Sequence, residues 1–86
     1  MLTADQARMA RAALKWSVRE VAAAARVSPN TVTRIETGGT SNASTLDAIQ
    51  RALEAAGVAF IAEGEASPSG GPGVRLGAGA AGTAED

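Results

Sequence analysis

Cysteine, histidine and tyrosine are absent from these 86 residues, and lysine occurs once, as Lys15. Without Cys there are no disulfides and no thiolate metal sites, and without His the commonest metal ligand and general base is missing. Carboxylates and hydroxyls remain, with no base to activate them, so neither an enzyme nor a cofactor or metal is expected. No run of eighteen apolar residues occurs, so no membrane span is expected. The opening Met-Leu-Thr-Ala-Asp-Gln lacks the basic and apolar regions of a signal peptide, which makes a soluble cytoplasmic protein the expectation. Large apolar side chains are scarce too: 21 of the 39 hydrophobic residues are alanine, and Trp16 and Phe60 are the only aromatics. A single small domain with so little to bury is marginal alone, and self-association is the expected extra support.

What is present is unevenly spread. The net charge is −1, which predicts no general attraction to polyanions. Residues 1–60, however, carry +2, and residues 61–86 carry −3. Start and stop signals predict four helices. Thr3 with Gln6 is a capping box opening a helix over about 4–15, with Ala7, Ala10, Arg11 and Leu14 on one face. Ser17 with Glu20 opens a second, through Ala25, with Val21, Ala22 and Ala25 inward. Ser28 caps a third that begins at Pro29, buries Val32 and Ile35 and ends at Gly38-Gly39. Ser44 with Asp47 reads as the start of a fourth, with Leu46, Ile49 and Leu53 inward and Gly57 as its stop. Val58–Ile61 then reads as a strand and Val74-Arg75-Leu76 as a weaker one. A Gly/Pro/Ser-rich connection joins them, and residues 77–86, with nothing to bury, are expected to be a disordered acidic tail.

The stretch from Ser17 to Gly38, SVREVAAAARVSPNTVTRIETG, is a short helix, a tight turn around Arg26-Val27-Ser28 and a second capped helix. That geometry can set its second helix in a DNA major groove while the first crosses the backbone. Through Ser17, Glu20, Ala22, Val27, Ser28, Pro29, Thr31, Val32, Ile35, Glu36 and Gly38 it resembles the Xre-type, lambda-repressor-like helix-turn-helix regulators. The run Thr45–Ile49, Leu53, Ala56–Val58 and Phe60-Ile61 is similar to the fourth helix and strand of small bacterial members, and Gly71–Leu76 to a tail of that subgroup. The resemblance implies a mainly α fold: a compact four-helix DNA-binding domain over 1–57, then a β-strand or hairpin over 58–76.

The resemblance also implies roles. Pro29, Asn30, Thr33 and Arg34 would meet base edges. Arg34 can grip guanine O6 and N7, Asn30 can pair with adenine, and Thr33 can touch a thymine methyl. Ser17, Arg19, Ser28 and Thr31 would meet phosphates, helped by the outward N–H groups of two helix starts. The same residues also suit blander duties: Thr33 and Arg34 as a solvated face, Asn30 and Thr31 as local caps. Glu36, at a helix end whose dipole disfavours an acid, needs a partner, and the family pattern supplies Arg11. Trp16 either packs the first helix on the second or anchors a partner.

Three departures from the family pattern carry consequences. Val18 stands where Gln often supports a phosphate contact, Arg26 stands at the turn position usually held by Gly, and the loop 39–42 has no cation. Phosphate binding should accordingly be weak and shallow in its salt dependence. A strand at 58–61 has an edge that a second chain can pair, which points to a homodimer through Val58, Phe60, Ile61, Val74 and Leu76. The reading is a transcriptional regulator binding an inverted repeat in double-stranded DNA as a homodimer. The alternative is a helix-turn-helix module that holds another regulatory protein, as an antiactivator or antitoxin does.

Overall fold

Capping chemistry fixes where each helix begins in the computed structural model, which describes residues 2–61 and 72–77. Helix α1 (Ala4–Leu14) starts at Thr3, whose hydroxyl accepts the Gln6 N–H while Gln6 Oε1 accepts the Thr3 N–H, both at 3.1 Å. Helix α2 (Val18–Ala25) repeats that reciprocal arrangement with Ser17 and Glu20. Helix α3 (Pro29–Glu36) is capped by Ser28. Helix α4 (Ala43–Ala55) differs from the expectation, because Asn42 is its cap and Ser44 lies inside the first turn. Asn42 Oδ1 accepts both the Thr45 N–H and the Ser44 hydroxyl at 2.8 Å. Either residue has cap chemistry, but only Asn42 has the extended backbone of a cap, at φ −75° and ψ 162°.

The first three helices stop in one way. Each ends in a left-handed residue (Lys15, Arg26, Gly38), after which the next N–H reaches back five residues to a helix carbonyl. These bonds are Trp16 to Arg11, Val27 to Ala22 and Gly39 to Arg34, at 3.0, 3.0 and 2.8 Å. They close carbonyls that the helix itself leaves open. Two of the three left-handed residues are cations. A side chain there costs about 1 kcal/mol or more, and a positive charge beside the negative end of a helix dipole returns about 0.3–1 kcal/mol.

Strands β1 (Val58–Ile61) and β2 (Gly73–Leu76) form an antiparallel pair, with Val58 opposite Leu76 and Phe60 opposite Val74. Side chains alternate across a strand. Val58, Phe60, Val74 and Leu76 accordingly share the face that packs on the helical core, leaving Ala59, Ile61 and Arg75 on the other. α1 packs against both β2 and α3, while α2 packs against α3 and α4. Leu14, Val21, Val32, Ile49 and Leu53 form the centre of the core, each at most 2% exposed. Burying such a side chain stabilises by about 1.5–3 kcal/mol. Val58 is 4% exposed and belongs to this same core. Its side chain is therefore not on a surface that a second chain can reach, which corrects its place in the expected interface.

The hairpin is tied to the helices by a residue that local patterns mark only as a cap. Gln6 is buried, and its Nε2 donates to the carbonyls of Ile61 at 3.2 Å and Gly73 at 3.1 Å. Leu2 is also buried in this core. No helix among the described residues is long and apolar enough to cross a membrane. The connection over 62–71 and the tail over 78–86 lie outside the described residues.

Candidate nucleic-acid interface

α2 and α3 are joined by Arg26-Val27-Ser28, with Arg26 left-handed at φ 60° and ψ 45° and Val27 half-buried against the core. The spacing of α3 divides it cleanly. Val32, Ile35 and Glu36 are buried, whereas Pro29, Asn30, Thr33 and Arg34 are all exposed on the opposite side. No side-chain hydrogen bond links Asn30, Thr33 or Arg34 to another described residue. Their donors and acceptors are left for whatever meets this face.

The back of α3 is held from α1. Arg11 grips Glu36 with two parallel bonds, Nε to Oε2 at 2.8 Å and Nη2 to Oε1 at 3.0 Å. The Glu36 side chain is only 8% exposed, and that of Arg11 29%. The hydrogen bond to Glu36 raises the Arg11 guanidinium above its ordinary value, against the lowering effect of burial. Arg11 also donates to the Trp16 carbonyl at 3.3 Å. Trp16 itself is half-buried against the core, where it packs as structure. One turn earlier, Arg8 donates to the backbone carbonyl of Glu36 and pairs with Asp5. That contact places a cation on the C-terminal carbonyls of α3, where the dipole favours one. Sequence patterns do not single out Arg8, although it sits three residues before Arg11 on α1.

The helix starts that face outward beside α3 keep some of their capacity. Ser17 Oγ accepts from the Glu20 N–H at 3.1 Å, and Ser28 Oγ accepts from the Thr31 N–H at 3.2 Å. Ser28 and Thr31 also share a hydroxyl–hydroxyl bond of 2.9 Å, so the two hydroxyls jointly keep one O–H to donate elsewhere. The first-turn N–H groups of Val18, Arg19 and Asn30 have no helical acceptor by geometry. Ion pairs join Arg8 to Asp5, Arg11 to Glu36 and Arg51 to Asp47, while Arg19, Arg26 and Arg34, like Lys15 and Arg75, pair with no described residue.

α2, its turn and α3, seated on α1 and α4, define a helix-turn-helix unit. A family model described as "Helix-turn-helix domain" matches residues 4–60, well over half the chain, and the protein belongs to that family. Membership points to a DNA-binding regulator of transcription. No curated protein and no solved structure matches the chain.

Proposed function

We propose that this protein is an Xre-type transcriptional regulator that reads double-stranded DNA with the exposed face of α3. The observation that carries the reading is the unpartnered set Asn30, Thr33 and Arg34, held outward by the Arg11–Glu36 clasp on the opposite side. Arg34 then takes a guanine edge, Asn30 an adenine edge and Thr33 a thymine methyl, with Pro29 lying against the groove wall. Ser17, Arg19, Ser28 and Thr31 take phosphates through hydroxyls, charge and the free N–H groups of two helix starts.

Residues 1–57 read the DNA, and residues 58–76 join two chains over an inverted repeat in the cytoplasm. A two-stranded hairpin leaves an unpaired backbone edge on each strand, which supports that joining. Ile61, on the face turned from the core, is the side chain best placed for it, while Phe60, Val74 and Leu76 contribute only their half-exposed margins. Removing the hairpin is a poor test, because Val58 and the Gln6 bonds make it part of the core. Ile61→Lys is the better one: sedimentation should show the mass of one chain, and an unchanged dimer mass removes that face from the interface.

Fluorescence titration with DNA taken upstream of the protein's own gene tests the central reading. Arg34→Ala and Asn30→Ala should each weaken specific binding by about 5- to 150-fold, the equivalent of one good base contact. Specific affinity unchanged in both variants refutes the assignment. An absence of DNA binding at low salt, with a regulatory protein copurifying, establishes the antiactivator or antitoxin reading instead.

A further inference from the structure

Three helices share one type of ending, and in that ending the residue after the left-handed one faces the residue five before it, commonly through an apolar contact. In α1 the facing pair is Trp16 and Arg11, and in α2 it is Val27 and Ala22. In α3 it is Gly39 and Arg34, where one member has no side chain at all. The stem of Arg34 fills the vacant place. A methyl group on Gly39 would lie 2.5 Å from Arg34 Cγ, 2.8 Å from the Arg34 carbonyl oxygen and 3.4 Å from Arg34 Cδ. The first two distances are closer than a real Cβ comes to any heavy atom, so a side chain at position 39 pushes aside the stem of Arg34 and also strains the backbone at its carbonyl. Gly38, left-handed at φ 92°, has open space around its own Cα and does no such work.

From this we infer that Gly39 is a positioning residue for base recognition: its bare backbone seats the Arg34 methylenes and so fixes where the guanidinium enters the groove. The inference rests on the proposal that Arg34 reads a base. An exposed arginine has several rotatable bonds, and holding its stem reduces the freedom lost when a bidentate contact forms. The same geometry explains why a loop without a cation is tolerable here. A Lys or Arg at position 39 would add a phosphate contact and at the same time unseat the base-reading arginine.

The test uses the full chain and duplexes enriched by the wild type from a random library, each then altered at single base pairs. Arg34→Ala should abolish discrimination at one base pair, which identifies its contact. Gly39→Ala should lower discrimination at that same base pair by about threefold or more, with binding to an unrelated duplex unchanged within about twofold. In the Arg34→Ala background, Gly39→Ala should have no further effect on discrimination. A general loss of affinity of equal size in both backgrounds makes Gly39 merely structural and overturns the inference. If Arg34→Ala alters no base preference, the base-reading proposal fails first and Gly39 with it. If Arg34→Ala does so but Gly39→Ala leaves preference intact, only the present inference fails. Should Gly39→Ala not fold, nuclear Overhauser contacts between the Arg34 Cγ and Cδ protons and the Gly39 α protons in the wild type decide the matter, and their absence rejects the inference.

Discussion

In α1 three of the four polar side chains are bonded to other parts of the molecule: Gln6 to two strand carbonyls, Arg8 to the end of α3, Arg11 to Glu36. In α3 the exposed polar side chains, Asn30, Thr33 and Arg34, make no bond to another described side chain, and only Glu36 turns inward. Both helices are short and amphipathic, and both bury one face in the same core. What separates them is where their polar groups find partners. Variants in α1 should therefore register first in melting, whereas variants at Asn30, Thr33 and Arg34 should leave melting nearly unchanged.

The largest effect should come from cutting the clasp between the two helices. Arg11→Ala leaves the Glu36 carboxylate 8% exposed and without its fork of donors, at a cost of about 3 kcal/mol. Thermal melting should register this as a fall in Tm of about 12 °C or more. Replacing both residues with apolar ones should cost less than Arg11→Ala alone, because no stranded charge remains. A loss under about 1 kcal/mol for Arg11→Ala would class the pair with exposed ones and erase much of the contrast between the helices.

Gln6→Ala comes next. It removes the donor shared by the Ile61 and Gly73 carbonyls and the acceptor of the Thr3 N–H, for about 2 kcal/mol. Because two of those partners lie in the hairpin, amide hydrogen exchange should accelerate in β1 and β2 before it does in α3. Uniform acceleration would mean that Gln6 acts as a cap alone.

Arg26→Gly should act with opposite signs on the two properties. The left-handed φ of 60° suits glycine, so relief of strain less the lost dipole contact should raise stability by about 0.5 kcal/mol. If Arg26 meets phosphate, the slope of log affinity against log salt should flatten by about 0.9 for each such contact. A more stable variant with an unchanged slope would assign Arg26 to the helix end alone.

The features legible in the sequence were those set by neighbours a few residues apart. Thr3 with Gln6, Ser17 with Glu20 and Pro29 after Ser28 mark helix starts because a cap bonds to its own first turn. Asn42 and Ser44 show the limit of such patterns, since two adequate caps lie two residues apart and only the backbone chooses between them. The face of α3 was legible because Val32 and Ile35 fix its buried side and leave 29, 30, 33 and 34 opposite. The second bond of Gln6 was not, because its acceptors are 55 and 67 residues away. The burial of Val58 was not either: alternation shows that Val58 and Phe60 share a face, without showing that the helical core covers it. Gly39 reads locally as part of a helix stop, and only the folded path of Arg34 shows the space it leaves.

The smallest expected effect separates placement of charge from its amount. Asp47 and Arg51 form an exposed pair one turn apart on α4, with 56% and 77% of their side chains accessible. Breaking it with Asp47→Asn should cost no more than about 0.5 kcal/mol. The change also moves the net charge from −1 to zero and frees an arginine. If bulk charge governed DNA binding, affinity should rise and its salt dependence steepen. If unpaired groups on α2 and α3 govern it, a cation released on α4 should leave specific affinity within about twofold at physiological salt, where charges beyond a Debye length of about 8 Å are largely screened. Titrations of the wild type and Asp47→Asn against one enriched duplex decide this, and a rise well beyond twofold would show that DNA contact extends to α4.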